Sequence, residues 1–122
     1  MSKRKVYGLC AGIVIAVMGL GSAAQASCGT ASWYQSGKVT ANGERYKPDG
    51  ITAAHRSLPF GTRVQVTHKR SGRSIVVRIN DRGPFIRGRI IDLSRGAKRQ
   101  LGMDGLASVC LKILNSPRKR RG

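Results

Sequence analysis

Ser74-Ile75-Val76-Val77-Arg78-Ile79-Asn80-Asp81-Arg82-Gly83-Pro84-Phe85 runs from a β-branched stretch directly into a polar turn. β-Branched side chains suit a pleated, half-buried strand, whereas glycine and proline tightly shape the backbone that follows. Upstream, Arg63-Val64-Gln65-Val66-Thr67 has the same character, and a polar segment ending near Gly72 joins the two as a β-hairpin. Val64 and Val66 point one way, as do Ile75, Val77 and Ile79, so a period of two gives the hairpin one buried face. Its second strand delivers Asn80 and Asp81 to a strand end.

Other elements extend outward from this hairpin. Gly29–Tyr34 reads as a short strand bearing Trp33 and Tyr34, followed by a loop through Asp49. Ile51–Ala54 reads as a strand ending at His55, Leu58–Gly61 as a turn, Arg89–Leu93 as a strand and Ala107–Leu114 as the last strand. Ser94 is placed to cap a helix over Arg95–Leu101, with Gly102 as its stop. His68, in the basic hairpin turn, is expected to be solvated. Short strands, one short helix and much loop imply a mainly β, compact barrel.

At the amino end, Lys3, Arg4 and Lys5 precede an apolar run from Gly8 to Leu20, and Ala24-Gln25-Ala26 supplies small residues for cleavage. This pattern predicts an export signal over residues 1–26, with no transmembrane anchor after cleavage; an uncleaved anchor is the competing reading. The barrel domain is then expected over 27–114 and a basic, disordered tail over 115–122. Cys10 belongs to the leader, leaving Cys28 and Cys110 near the two ends of the exported part, where oxidation to a disulfide is expected. Closing so long a span contributes about 4 kcal/mol by loop entropy. Two alternatives are a pair of unbonded thiols and lipidation of Cys28, the latter usually wanting an apolar residue where Gln25 stands.

The leader removes three of the 23 Lys and Arg and none of the five acids, leaving 20 bases against 5 acids and a formal charge of +15. Such a surface seeks polyanions. Nucleic acid is disfavoured by the export signal, the expected disulfide and an aromatic content of only 5%, too little for base stacking. In an envelope or periplasm, carboxylates of peptidoglycan and phosphates of lipids or wall polymers remain.

The acids are Glu44, Asp49, Asp81, Asp92 and Asp104. Asp92, inside an apolar strand, is expected to be a buried structural partner for an arginine. The blocks Ala31-Ser32-Trp33-Tyr34, Thr40-Ala41-Asn42-Gly43-Glu44, Thr52-Ala53-Ala54-His55, Leu58-Pro59-Phe60-Gly61-Thr62, Arg78 to Phe85 and Gly88 to Ser94, taken together and in order, resemble the rare lipoprotein A (RlpA) family. The resemblance implies a six-stranded double-psi β-barrel, shared with expansins, and peptidoglycan processing as a lytic transglycosylase on glycan strands. It implies Asp81, Glu44 and His55 as the functional trio. The family often carries an acid where Lys47 stands, and Asp49 is a candidate replacement. Many members also add a glycan-binding module, so targeting here is expected from the barrel, its charge, or cell-division and other envelope partners.

Glycan cleavage needs a proton delivered to the leaving oxygen while positive charge builds on the sugar ring. A lytic transglycosylase uses the muramic 6-hydroxyl of its own substrate as nucleophile, so one carboxyl can act first as acid and then as base. Asp81 is the expected acid and base, Glu44 the second carboxylate, and His55 a hydrogen-bonding partner of a carboxylate or sugar hydroxyl. Arg78 and Arg82 are expected to press Asp81 toward its ionised form. Trp33, Tyr34, Asn42, Asn80, Arg82 and Asp49 are candidate substrate contacts. Neither metal nor other cofactor is expected, because His55, Glu44 and Asp81 lack short-range ligand spacing. Two further readings stay open: an expansin-like module that grips polysaccharide without cutting it, and a basic adhesion surface.

Overall fold

The computed structural model describes residues 27–35 and 37–117. The leader expected over 1–26 and residues 118–122 of the expected tail lie outside the described residues. Among the described residues there are six strands: β1 (Ser27–Trp33), β2 (Thr52–Ala54), β3 (Arg63–His68), β4 (Ser74–Asp81), β5 (Arg89–Leu93) and β6 (Ala107–Asn115). One helix, α1 (Arg95–Leu101), separates β5 from β6. The strands close into a barrel in the order β1-β5-β2-β4-β3-β6. Pairing is parallel for β1 with β5 and for β2 with β4. The remaining pairs are antiparallel.

The hairpin register follows the hydrophobic alternation. Val64 opposes Val77 and Val66 opposes Ile75, while Val64, Val66, Val77 and Ile79 are fully buried with Ile91, Leu93 and Val109. Each such side chain, removed from water, contributes about 1.5–3 kcal/mol. β6 runs one residue past the expected end, pairing Asn115 with Arg63. Cys28 and Cys110 face each other across the β1–β6 seam and are joined by the expected disulfide, 82 residues apart. His68 is a correction: it ends β3 with 9% of its surface exposed, because its strand continues into the barrel wall beside Val109.

Helix α1 has the expected bounds. The Ser94 hydroxyl accepts from the Ala97 N–H at 3.1 Å and donates to the Gly50 carbonyl at 2.6 Å. The amide of Gly102, at φ 79°, donates to the carbonyls of Lys98 and Arg99. The helix's first turn docks the loop that precedes β2. The Gly96 N–H donates to the Pro48 carbonyl at 2.7 Å, and a Cβ at Gly96 would lie 2.6 Å from the Asp49 carbonyl oxygen. That approach leaves room only for glycine.

Candidate active site

Strand pairing brings Ser32, Asp92, Ala54 and Asp81 into one row. Ala54 of β2 opposes Asp92 of β5 on one side and Asp81 of β4 on the other, and Asp92 in turn opposes Ser32 of β1. Ala53 belongs to the core cluster, and Ala54, 2% exposed, follows it across a register irregularity in the pairing with β4. The backbones carrying Asp81 and Asp92 are two strand spacings apart, roughly 10 Å. Ala54, itself buried, is the strand residue between the two carboxyl-bearing positions.

Asp81 is held by three donors. Its Oδ1 accepts from the backbone N–H of Ala41 at 2.8 Å and of Arg82 at 2.9 Å, and its Oδ2 accepts from the Tyr34 hydroxyl at 3.0 Å. Burial, followed by the charge of Asp81, raises the Tyr34 pKa, keeping the phenol a proton-bearing donor. Tyr46 fixes Tyr34 in turn. Their rings stack at 4.8 Å between centroids, and the Tyr46 hydroxyl donates to the Tyr34 carbonyl at 2.6 Å.

Glu44 reaches the same strand from the long loop. That loop folds into a small hairpin with a bridge between Val39 and Arg45. The Gly43 N–H donates to the Thr40 carbonyl, with Gly43 at φ 94°, a left-handed turn position that favours glycine. Asn42 Oδ1 accepts from the Glu44 N–H at 3.0 Å, and its Nδ2 donates to Glu44 Oε2 at 3.0 Å. Arg78 grips Glu44 with two prongs of 2.8 and 3.0 Å, and Asn80 Nδ2 donates to Glu44 Oε1 at 3.0 Å. The hydrogen bonds from Arg78, then from Asn80 and Asn42, hold the Glu44 carboxyl down at about 2. Glu44 is therefore a fixed anion at any ordinary pH.

Asp92 differs. Burial raises its carboxyl above the ordinary range; the Ser32 hydroxyl, donating to Oδ1 at 3.0 Å, and the charge of Arg89 oppose this, while the charge of Asp81 adds to it. No arginine forms an ion pair with Asp92 among the described residues, so the expected structural partner is replaced by Ser32. The cause is register: the row places Ser32 and the small Ala54 beside Asp92.

His55 follows β2, and its backbone N–H donates to the Asp81 carbonyl at 3.1 Å. Its Nδ1 accepts from the N–H groups of Ser57 and Leu58, each at 3.1 Å, so the ring organises a turn and touches no carboxylate among the described residues. Burial, then the charges of Arg56 and Arg82, lowers its pKa, favouring the neutral ring.

The expected pressure of Arg78 and Arg82 on Asp81 is redirected. Arg78 is committed to Glu44. The Arg82 guanidinium donates to the carbonyls of Leu58 and His55 at 2.9 and 3.2 Å and lies 4.0 Å over the Phe60 ring. Asp49 is drawn elsewhere, pairing with Arg95 at 3.0 Å and Arg99 at 3.7 Å on α1. Trp33 packs against the core beneath Lys98, whose Nζ lies 4.5 Å from the ring centroid. The expected trio is thus brought to one end of the barrel, together with Tyr34, Asn42 and Asn80. The roles of Arg78, Tyr46, Ser32 and Asp92 were missed; the alternation of Ile91, Asp92 and Leu93, which turns Asp92 off the core face, was the available signal for the last. Among the described residues, no group of three or more His, Cys, Asp and Glu is arranged to hold a metal ion.

A closed six-stranded barrel of mixed pairing, with carboxyl groups gathered where β2, β4 and β5 meet, defines a double-psi β-barrel protein. Residues 26–111 match the family described as "Lytic transglycolase", and the chain belongs to that family. It is 61% identical over 93 residues to a probable endolytic peptidoglycan transglycosylase RlpA of Nostoc sp., spanning 70% of this chain and 25% of that protein. It is 48% identical over 91 residues to the endolytic peptidoglycan transglycosylase RlpA of Campylobacter jejuni, spanning 70% of this chain and 33% of that one. The chain thus spans about a quarter to a third of these relatives. An expansin of Clavibacter michiganensis has the same fold, with TM-score 0.60 and 21% identity over 77% of this chain and 52% of that one.

Proposed function

We propose that this chain is an endolytic peptidoglycan lytic transglycosylase of the bacterial envelope, cutting glycan strands between muramic acid and glucosamine. The names of its RlpA relatives support the substrate and the reaction. The single observation that carries the mechanism is the row Asp81–Ala54–Asp92, which sets two carboxyl groups in unlike environments on the two strands that flank β2. Asp92, whose pKa is raised by burial, donates its proton to the glycosidic oxygen as the C1–O bond breaks. Asp81, held by three donors, faces the cationic ring and takes the proton of the muramic 6-hydroxyl as that oxygen bonds to C1. The product is a 1,6-anhydro ring, no water is consumed, and proton transfer from Asp81 to Asp92 restores the starting state. The intramolecular nucleophile gains from proximity, which can be worth about 7–11 kcal/mol in well-oriented cases. Glu44 stays ionised and, through Arg78, Asn80 and Asn42, sets the shape of the loop that reaches Asp81.

The test is incubation of the purified exported chain with peptidoglycan glycan strands, followed by mass spectrometry. Anhydromuramic ends support the reading; reducing ends would make the chain a hydrolase and contradict it. A second reading is favoured by the fold shared with an expansin crystallised with cellohexaose. On that reading the same face holds polysaccharide uncut, and the assay returns binding with no new ends at any pH.

A further inference from the structure

Phe85 is the most exposed of the large apolar side chains among the described residues, with 77% of its surface in water, and its neighbour Ile86 is 53% exposed. An exposed phenylalanine leaves a substantial burial gain unused, in a domain whose core is modest. The loop that carries it is nevertheless well fixed. At its near end the Arg82 guanidinium donates to the carbonyls of Leu58 and His55, and Gly83 and Pro84 are buried. At its far end the Arg89 N–H donates to the Ile86 carbonyl at 3.0 Å, and the Thr30 N–H donates to the Gly88 carbonyl at 3.1 Å. Segment 82–88 is therefore pinned on both sides, and the ring projects from the span between.

The ring itself has a fixed neighbour. A Cβ on Gly83 would lie 3.5 Å from Phe85 Cε2 and 3.7 Å from Cδ2, so one edge of the ring rests against the Gly83 backbone. Gly83 stands two residues after Asp81, a separation of at most about 7 Å between backbones. The ring edge thus lies within about 12 Å of the Asp81 backbone, on the segment that continues directly from the row of Asp81 and Asp92. A polymer chain laid across Asp81 and followed along this segment meets Phe85.

A pyranose ring has polar groups around its rim and axial C–H groups that leave one face apolar. A fixed aromatic ring covers such a face by excluding water and by dispersion contacts, with no charge involved. Because the loop is already ordered, little freedom is lost on contact.

We propose that Phe85 is a stacking platform for one pyranose ring of the glycan strand, positioning the strand over the row of Asp81 and Asp92, with Ile86 widening the apolar surface. The inference rests on the proposed glycan substrate and adds to it a positioning residue outside the carboxylate row.

Binding of peptide-free glycan strands is measured calorimetrically with the full exported chain carrying Asp81→Asn, so that strands stay intact. Adding Phe85→Ala should weaken binding about ten-fold, at low and high salt alike. Phe85→Trp should restore the affinity, whereas Phe85→Leu, apolar but without a ring, should fall short. The chain has one tryptophan, Trp33, so the extra emission of Phe85→Trp reports on position 85 and should move to shorter wavelength as strands are added. In the cleaving chain, the loss caused by Phe85→Ala should appear chiefly in KM rather than kcat. Circular dichroism checks that each variant keeps the fold.

Unchanged binding by Phe85→Ala, or full restoration by Phe85→Leu, overturns the proposal. So does a Phe85→Ala variant that binds strands normally but loses self-association or retention on anionic phospholipid vesicles, since the loop tip is then a protein or membrane contact. Phe85-dependent strand binding without anhydromuramic ends from the unmutated chain supports the platform and sinks the enzyme reading. Cleavage with strand binding indifferent to Phe85 does the reverse.

Discussion

Glu44 and Asp92 are both carboxylic acids at one end of the same barrel, yet their surroundings act in opposite directions. Glu44 receives four side-chain hydrogen bonds, two of them from one guanidinium, and is held near 2. Asp92 receives one from Ser32 and is pushed up by burial. A carboxyl group that cannot be protonated is useful as scaffold or counter-charge, and one that keeps its proton longer is useful as an acid. On the proposed mechanism, the difference divides the site into a half that holds and a half that transfers protons.

The largest way to break this comparison is to remove the proton-transferring half. Asp81→Asn or Asp92→Asn should each lower the rate of end formation by roughly 10²–10⁴-fold, measured by mass spectrometry on glycan strands. Asp92→Asn should also raise the melting temperature at neutral pH. Because the folded-state pKa of Asp92 lies above its ordinary value, stability falls as pH rises through that interval, and the asparagine removes the loss. A variant that is inactive and less stable would instead make Asp92 a structural residue.

Removing the holding half should have a smaller effect. Glu44→Gln frees Arg78 and loosens the loop at Asn42 and Asn80, lowering the cleavage rate by up to about 10²-fold through misplacement. The folded pKa of Glu44 is depressed, so its stabilisation is present above the ordinary 4.5 and is lost as pH falls toward about 2. The glutamine variant should flatten that acid limb in denaturant titrations. With both partners about two-fifths exposed, the pair is worth at most about 1 kcal/mol.

Much of the fold was legible because it depends on local pattern. The alternation of Val64, Val66, Val77 and Ile79 gave the hairpin, and Ser94 and Gly102 bounded the helix. The closure order was not legible, since β1 with β5 and β2 with β4 pair across intervening elements. Glu44, His55 and Asp81 were readable from ordered blocks resembling a family, whereas their partners were not. Arg78 stands two positions before Asn80, yet its choice of Glu44 over Asp81 depends on where a loop 34 residues away comes to rest. His68 looked solvated because its neighbours are basic; strand pairing to β6 buried it.

Two smaller effects sharpen the division. Gly96→Ala should force the Asp49 backbone away from α1 at a cost of about 1–3 kcal/mol in chemical denaturation, with less effect on cleavage than any change on the proton-transferring half. His55, with its pKa lowered by burial, should titrate below 6.5 by NMR, so that its stabilising contribution is complete above that value and is lost as pH falls.

The most direct measurement is single-turnover cleavage of glycan strands by wild type, Asp92→Asn and Glu44→Gln at matched folded fractions, read as anhydromuramic ends per chain. Asp92→Asn should form ends at least about ten-fold more slowly than Glu44→Gln. Equal or faster cleavage by Asp92→Asn would contradict the assignment of proton donation to Asp92 and return that role to another carboxyl group.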